Sequence, residues 1–187
     1  QGVLDSVQDV VEWADQSTAV ILSSVGKDEE LKLQLRDINL LVLTAETAIP
    51  IKNRYKSKVT LGKDRLAAVV AATLQFPQHH VLVIDAGTCI TFDVINDKKE
   101  YLGGSIAPGL QMRLKALNSQ TARLPLVELQ NTTKLLGDDT DSSILSGVVN
   151  GTLAEIDGLI SRYKEQYPNL QVIMTGGDAN FFDKGSK

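Results

Sequence analysis

The sequence predicts an α/β protein made of two halves. Residues 81–108 have the pattern of three consecutive strands with a glycine-containing turn, and a strand, a helix and a second strand fit residues 19–44. A strand–helix–strand unit indicates a parallel pair joined by a right-handed crossover. With 187 residues, of which 43% are hydrophobic, the chain can bury a substantial core. We therefore expect an N-terminal lobe at residues 1–76 and a C-terminal lobe at residues 77–187.

Short apolar strands alternate with helices in the first half. Apolar residues recur at helical spacing around Trp13, and a charged segment follows the apolar run at residues 19–25. Residues 49–61 are irregular and basic, and we interpret their cationic side chains as a solvated face. The elements expected here are a short amphipathic helix around Trp13, a strand at 19–25, a helix at 27–36, a strand at 39–44 and an alanine-rich helix at 64–76.

The second half combines a strand meander with one long helix. Val81 to Asp85 is apolar and β-branched, and residues 90–95 alternate outward polar with inward apolar side chains. Residues 101–107 return after a polar turn. Apolar residues repeat on one face of the segment from Asp141 to Tyr163, which indicates a helix. The other elements expected here are a helix at 108–118, a short strand at 126–129 and a strand at 171–175.

Composition and charge argue against several classes of partner. The net charge of −4 and the pI of about 5.2 disfavour nucleic acid or an anionic membrane as the main partner. No apolar run approaches the roughly 18 residues of a membrane span, and the first residues lack the pattern of a signal peptide. The single cysteine, Cys89, suits a reducing cytosol, so we expect a cytoplasmic protein. This thiol and the two histidines do not have the pattern of a metal cluster.

The turn that contains Asp85, Gly87 and Thr88 has the residue types of a phosphate and cation site. Asp85 would neutralise or ligate a cation beside phosphate, and Thr88 would donate a hydrogen bond to a phosphate oxygen. Gly87 lets the main chain approach closely, and free N–H groups in a turn attract anions. The alternative is an ordinary hairpin turn in which aspartate and glycine satisfy turn geometry. A buried strand before the turn and a glycine pair at 103–104 favour the functional interpretation.

The segment Gly62-Lys63-Asp64-Arg65 opens a predicted helix and allows two interpretations. Aspartate is a preferred N-cap residue, and Arg65 would then be a solvated first-turn residue. Alternatively, Asp64 accepts a proton from a substrate hydroxyl, and Arg65 binds an anionic group of the substrate. The positive end of the helix keeps Asp64 ionised but makes it a weaker base. A weaker base is sufficient for phosphoryl transfer, where orientation of the hydroxyl matters more than its full deprotonation.

Three further features carry weaker signals. Thr140 is most simply the N-cap of the long helix, although a threonine there can also hold a substrate carbonyl or carboxylate. The pair Gly176-Gly177 after a strand either lets a nucleotide lie against the backbone or forms an ordinary turn. Tyr55 is either a surface anchor or a residue that lines a substrate pocket.

Taken together, these motifs resemble the type III pantothenate kinase family. The shared pieces, in chain order, are Tyr55, LGKDR, IDAGTCITFD, YLGGSIAPGL, TARLP, LLGDDT and MTGGDA. They extend over nearly the whole chain, and several spaced motifs in agreement are more specific than any one of them. The DxGNT phosphate loop of the family and its last strand and helix have no counterpart here. We therefore expect the sequence to be incomplete at both ends.

The resemblance implies an actin-like and sugar-kinase-like fold, with two lobes of ribonuclease-H-type units and the site in the cleft between them. It implies transfer of the γ-phosphoryl group of ATP to the primary hydroxyl of pantothenate, the first step of coenzyme A biosynthesis, by a homodimer. ATP would arrive with Mg²⁺ and contact Thr88, and a monovalent cation, K⁺ or NH₄⁺, would bind Asp85. Asp64 would accept the proton, and Arg65 would pair with the pantothenate carboxylate. The residues implied in pantothenate binding are Tyr55, Gly62, Lys63, Asp64, Arg65 and Thr140.

Two other functions stay open at this point. A chain without the DxGNT loop is consistent with a non-catalytic accessory or regulatory relative of the same fold. The other alternative is a kinase of the same superfamily that acts on a different small hydroxylated substrate. The motif at residues 62–65 together with Thr140 favours pantothenate, through the resemblance.

Overall fold

The computed structural model describes residues 10–12, 14, 19–23, 29–44, 46–130 and 133–183. Its strands are β1 (Val20–Leu22), β2 (Leu40–Val42), β3 (Lys52–Asn53), β4 (Val81–Ala86), β5 (Cys89–Ile95), β6 (Glu100–Pro108) and β7 (Gln171–Thr175). Its helices are α1 (Glu29–Gln34), α2 (Lys63–Gln75), α3 (Leu110–Ser119), α4 (Thr140–Gln166) and α5 (Ala179–Asp183), with a 3-10 helix at Lys58–Thr60. These elements confirm the predicted α/β class. None of the described helices has the length and apolar character needed to cross a membrane.

Five strands form the main sheet, in the order β3-β6-β5-β4-β7. The three strands predicted at residues 81–108 are present, and β4, β5 and β6 pair antiparallel as a meander. β7 runs parallel to β4 on one side, and β3 runs parallel to β6 on the other. Asp85 lies opposite Thr91, and Val83 lies opposite Asp93. Since alternate residues of a strand share a face, this register places Asp85 and Asp93 on the same face of the sheet.

The two faces of the main sheet pack against different helices. α2 contacts β4 and β5 on the face that carries Val81 and Val83. α3 and α4 pack on the opposite face, over Leu82 and Ile84. The inner strand β4 is therefore covered on both sides, which explains its continuous apolar run. The boundary between the two expected lobes near residue 77 stays a prediction.

β1 and β2 form a separate parallel pair, and α1 lies between them in the chain. This confirms the predicted strand–helix–strand unit, although the two strands have only three residues each. Ala14, Val20 and Leu35 form the buried apolar cluster of this unit. Residues 10–12 and 14 are helical, in agreement with the predicted first helix, whose other residues lie outside the described part.

The basic segment at residues 49–61 is less irregular than predicted, because β3 pairs with the start of β6. Arg54 donates to Glu100 from Nε at 3.1 Å and from Nη2 at 2.6 Å, and the Lys52 Nζ atom lies 3.5 Å from the same carboxylate. Hydrogen bonds from Arg54 and then Asn96 lower the pKa of Glu100 to about 2. The segment is exposed as predicted, but two of its cations also hold β3 against β6. β3 covers only two residues of β6, so the rest of that strand is an outer edge of the described sheet.

The predicted short strand at residues 126–129 is wrong. The described residues 124–130 contain no strand. Val127 is buried in the core under α3 and α4, and Leu129 packs against the same core. Contact with the core therefore accounts for the apolar pattern, without a neighbouring strand to pair with.

Gly104 and Gly158 give a matched test of the strand packing. A Cβ atom at Gly104 would overlap the carbonyl oxygen of Phe92 and lie 3.0 Å from Cα of Asp93, whereas a Cβ atom at Gly158 in α4 meets nothing within 4 Å. We expect Gly104→Ala to lower the free energy of unfolding by about 3 kcal/mol, because β5 and β6 must separate. Gly158→Ala should raise it by about 0.5–1 kcal/mol, since alanine favours a helix. Thermal unfolding measures both, and shifts of the same sign would contradict this packing.

Candidate active site

Asp64 lies at the start of α2, on the face of the main sheet that also carries Asp85. Gly62 is the N-cap residue of this helix and makes no side-chain cap, so Asp64 is the second helical residue. The interpretation of Asp64 as the N-cap is therefore wrong. Its exposed carboxylate accepts a hydrogen bond from the backbone N–H of Arg65 at 2.8 Å. A Cβ atom at Gly62 would collide with this carboxylate, so glycine leaves the space that Asp64 occupies.

Asp85 is the half-buried, next-to-last residue of β4 and lies opposite Thr91 of β5 and Thr175 of β7. Burial raises the pKa of the Asp85 carboxyl, and the negative charges of Asp64 and then Asp93 raise it further. Asp64 and Asp85 thus lie close enough for their charges to interact. The proton-acceptor candidate and the cation-site candidate share one region of the molecule.

The glycine loop after β7 lies directly against the end of β4. Gly176 has φ of +97°, a conformation that favours glycine. A Cβ atom there would overlap the carbonyl oxygen of Ala86 and lie 2.5 Å from Oδ1 of Asp85. The backbone N–H of Asp178 donates to the same Ala86 carbonyl at 2.9 Å, and burial raises the pKa of Asp178. The loop therefore leaves room beside Asp85 that any larger residue at 176 would fill.

Thr88 lies exposed in the turn between β4 and β5, beside the start of α3. The backbone N–H of Gly87 donates to the carbonyl of Cys89 at 3.0 Å, which closes the turn. Gly109, the N-cap residue of α3, donates from its backbone N–H to the carbonyl of Thr88 at 3.1 Å. The structure thus brings the Thr88 turn, Asp85 and the Gly176 loop to one edge of the sheet.

The hydroxyl oxygen of Thr91 is placed to act as an uncharged ligand for a cation beside Asp85. Its Oγ1 atom is buried and has no hydrogen-bond partner in the part of the chain that the structure describes. Thr91 is the cross-strand partner of Asp85, so both side chains are on one face. A carboxylate and a hydroxyl supply the oxygen ligands that hard cations prefer. Among the described residues, no three His, Cys, Asp or Glu side chains surround one metal position, so the remaining ligands would be backbone, water or substrate oxygens.

Arg65 is buried and bound to Asp93. Its Nε atom donates to both carboxylate oxygens, at 3.1 and 3.0 Å, and its Nη2 atom donates to Oδ1 at 2.6 Å. The hydroxyl of Tyr101 donates to the same Oδ1 atom at 2.6 Å. The guanidinium carbon lies 5.8 Å from the ring centroid of Tyr55, and the Tyr55 and Tyr101 rings stack 5.9 Å apart. Arg65 is expected to pair with a substrate carboxylate, but its Nε and Nη2 atoms are already bound to Asp93.

The surroundings of Arg65 and Tyr101 determine whether these two side chains are protonated. Burial acts to lower the pKa of Arg65, but hydrogen bonds to Asp93 and the attraction of its charge outweigh burial and raise the pKa overall. Burial and then the hydrogen bond to Asp93 raise the pKa of Tyr101. At neutral pH, Arg65 stays protonated and the Tyr101 hydroxyl stays a donor.

Thr140 lies on the other face of the main sheet, at the first residue of α4. The N-cap of this helix is Asp139, whose side chain accepts from the Ser142 backbone N–H at 2.7 Å, so the interpretation of Thr140 as N-cap is wrong. Hydrogen bonds from Ser142 lower the pKa of Asp139. Thr140 is exposed and lines an open groove of about 780 Å³ with Leu117 and Ile144. The described contacts do not bring it to the Asp64 region.

A family model described as type III pantothenate kinase matches residues 5–162 of the chain. The chain belongs to the type III pantothenate kinase family. The resemblance noted from the spaced motifs is thereby confirmed, and the match extends across both regions that carry Asp64 and Asp85.

Curated members of the type III pantothenate kinase family are similar over most of the chain. One from Flavobacterium johnsoniae is 42% identical over 183 residues, which cover 97% of this chain and 75% of that protein. One from Christiangramia forsetii is 49% identical over 161 residues, which cover 85% of this chain and 66% of that protein. One from Bacteroides fragilis is 44% identical over 182 residues, which cover 96% of this chain and 75% of that protein.

A solved structure shares the fold. A crystal structure titled as a conserved putative Baf family transcriptional activator from Campylobacter jejuni matches with a TM-score of 0.61 at 24% identity. The match covers 97% of this chain and 78% of that chain. At this identity the likeness supports the arrangement of strands and helices and carries no functional argument.

Asp93 is the buried residue beside the candidate site that the sequence did not reveal. The alternation at residues 90–95 predicted outward polar side chains, but Asp93 is only 2% exposed. α2 covers the face on which Asp93 lies, so the polar position is an interior one. The sequence feature that could have indicated this ion pair is an aspartate on the middle strand of the predicted meander, together with Arg65 as a cation that could pair with it.

The raised pKa of Asp85 predicts that its ionised form destabilises the ligand-free protein. The folded protein binds a proton at Asp85 more tightly than the unfolded chain, so the stability cost is present at neutral pH. The cost disappears as pH falls through the folded pKa towards the unfolded value. In buffer without K⁺, we expect Asp85→Asn to unfold at a higher temperature than wild type at pH 7.5, and the gap to narrow by pH 4. A gap that does not depend on pH, measured by thermal unfolding, would reject this assignment.

Proposed function

We propose that this protein transfers the γ-phosphoryl group of ATP to the primary hydroxyl of pantothenate, the first step of coenzyme A biosynthesis. Membership of the type III pantothenate kinase family supports this reaction. The observation that carries the proposal is the placement of Asp64, at the start of α2, and of Asp85, on the sheet face that α2 covers, in one region of the molecule. Asp64 is exposed at a helix start, where it can accept a proton from a substrate hydroxyl. Asp85 is half-buried beside glycine-rich turns, where phosphate and a cation can bind.

Asp64 accepts the proton of the pantothenate hydroxyl and orients its oxygen for in-line attack. Asp64 lies in the first turn of α2, where the positive helix N-terminus favours a negatively charged side chain. A modest base is adequate, since the transition state of phosphoryl transfer is loose and positioning supplies much of the acceleration. Tyr55, Gly62, Lys63 and Arg65 line the pantothenate pocket around it.

The edge that carries Asp85 and Thr88 binds the phosphates of ATP. Thr88 is exposed in a tight turn, and Gly87 and Gly176 let backbone approach a nucleotide closely. Asp85, with Thr91 beside it, would hold a monovalent cation, K⁺ or NH₄⁺, and that cation would offset charge near the phosphates. Mg²⁺ bound to the ATP substrate would supply positive charge beside the phosphate oxygens.

Four further parts of the proposal rest on the family. Thr140 contacts pantothenate, the protein acts as a homodimer, and it works in the cytoplasm, where its single cysteine stays reduced. The two lobes adopt an actin-like arrangement of ribonuclease-H-type units. A non-catalytic regulator would not turn over pantothenate, and a kinase for another alcohol would prefer that substrate, so one assay separates the three functions.

Removal of the proton acceptor should abolish most turnover and leave the fold intact. Asp64→Asn preserves the side-chain shape and the oxygen that accepts from the Arg65 backbone. We expect kcat with pantothenate to fall about 100- to 10,000-fold, the range of general acid–base contributions. A coupled assay of ADP release on the full-length protein measures this, with the thermal unfolding temperature as the control for folding.

Asp157→Asn is the matched control for this substitution. Asp157 is an exposed aspartate in the middle of α4, far in the chain from the candidate site, so its loss should leave kcat unchanged. Equal kcat for wild type and Asp64→Asn would remove Asp64 from the reaction.

Loss of the Asp85 carboxylate should remove the response to monovalent cations. We expect the rate of wild type to rise with KCl or NH₄Cl against a constant-ionic-strength NaCl background. Asp85→Ala should show a flat response, because the anionic ligand is gone. Asp97→Ala, which removes an exposed acid from the β5–β6 turn at the other end of the strand, should keep the wild-type response. A K⁺ titration of Asp85→Ala that matches wild type would reject the cation site.

A further inference from the structure

We propose that Asp93 is a positioning residue for phosphoryl transfer: it anchors the Arg65 side chain to β5 and thereby fixes the first turn of α2, which carries Asp64. The inference rests on the proposed function, because it concerns the geometry of that reaction. Asp93 lies beneath the site and touches neither of the reacting groups, so its effect passes through Arg65.

Asp93 connects three elements of the fold. It lies on β5 between β4 and β6, where its backbone is paired with Val83 and Gly104. Its carboxylate accepts three hydrogen bonds from Arg65 of α2 and one from Tyr101 of β6. The side chains of Arg65 and Asp93 are 6% and 2% exposed, so water does not compete for the pair. A central strand of a five-stranded sheet is among the most rigid places in the protein to which a helix can be tied.

The first turn of α2 needs such an anchor because it has no side-chain cap. Gly62 offers no oxygen to the free N–H groups at the helix start, and a helix start without a cap tends to fray. Arg65 is the third residue of the helix and follows Asp64 directly. Its fork-shaped contact with Asp93 restrains position and orientation together, which a single hydrogen bond would not do. The carboxylate of Asp64 is thereby held in one place relative to Asp85.

The same carboxylate also supports the aromatic wall of the proposed pantothenate pocket. Tyr55 lies over the Arg65 guanidinium, stacks on Tyr101, and packs against Gly103, where a Cβ atom would come within 3.4 Å of its ring. Asp93 holds Arg65, and Arg65 in turn lies against the Tyr55 ring. Loss of the Asp93 charge therefore loosens Tyr55 and Asp64 together, whereas the turns at Thr88 and Gly176 are closed by their own backbone contacts.

The decisive experiment compares the two substrates in Asp93→Asn. Asparagine keeps the side-chain shape and one acceptor oxygen but leaves the buried charge of Arg65 without its partner. We expect kcat/KM for pantothenate to fall about 10- to 100-fold, since small misplacements of reacting groups are costly, and KM for ATP to change by less than about two-fold. Rates are measured well below the unfolding temperature of each variant.

Glu155→Gln is the matched control. Glu155 of α4 accepts from Nη2 of Arg113 at 2.6 Å, so this substitution also removes the acid from an arginine–carboxylate pair. α4 packs on the face of the sheet away from Asp64. Its kcat/KM for pantothenate and its KM for ATP should both match wild type.

Tyr101→Phe is the second test if Asp93→Asn folds poorly, because it removes one hydrogen bond to Asp93 and keeps the ring. The kcat/KM for pantothenate should again fall selectively, by a smaller factor.

A double variant shows whether Asp93 acts through Arg65. Arg65→Lys keeps the charge and loses the fork, so adding Asp93→Asn to it should cost less than about two-fold more in kcat/KM for pantothenate. Losses that multiply, or losses for pantothenate and ATP of equal size, would overturn the proposal, as would an Asp93→Asn variant with wild-type kinetics. A folded wild-type protein that releases no ADP with pantothenate would instead refute the proposed function, and the role of Asp93 in it.

Discussion

The register between β4 and β5 determines where the chemistry of this protein lies. Because side chains alternate between faces, the pairing of Val83 with Asp93 and of Asp85 with Thr91 places both carboxylates under α2. A slip of β4 by one residue would move Asp85 into the apolar core beneath α3 and α4, where unpaired charge is costly. The same slip would take Val81 and Val83 away from α2. One set of backbone hydrogen bonds thus fixes the core and the candidate site together.

The neighbouring carboxylates of Asp64, Asp85 and Asp93 would repel one another, and the protein offsets their negative charges to different degrees. Asp93 is bound by Arg65 and Tyr101 in the interior. Asp64 is exposed and lies at the positive end of α2. Asp85 has neither an arginine nor a helix start described beside it, and its raised pKa reflects burial and this repulsion. Of the three, Asp85 is therefore the acid that a bound cation would relieve most.

The sequence predicted the strand meander, the long helix and the first strand–helix–strand unit, because their hydrophobic periods are clear and bounded by turn residues. It could not separate Asp139 from Thr140 as the cap of α4, since both are good capping residues one position apart. The largely apolar segment 126–129 predicted a strand, but a strand also needs a neighbouring strand to pair with, and only the fold shows whether one is there. The motifs and the family resemblance named Tyr55, Asp64, Arg65 and Asp85 as candidate site residues. They did not point to the buried Asp93, because alternation along a strand does not say which face a helix will cover.

Among the described residues, the short pairing of β3 leaves most of β6 without a neighbour on its outer side. Such an edge invites the strands of other molecules, and the exposed Ile106 adds an apolar surface to it. Gly103, with φ of +110°, interrupts the regular ladder, and Pro108 has no N–H to offer at its end. Gly103 and Pro108 make the outer edge of β6 a poor template for fibril growth. This edge can therefore stay unpaired with little risk of uncontrolled polymerisation.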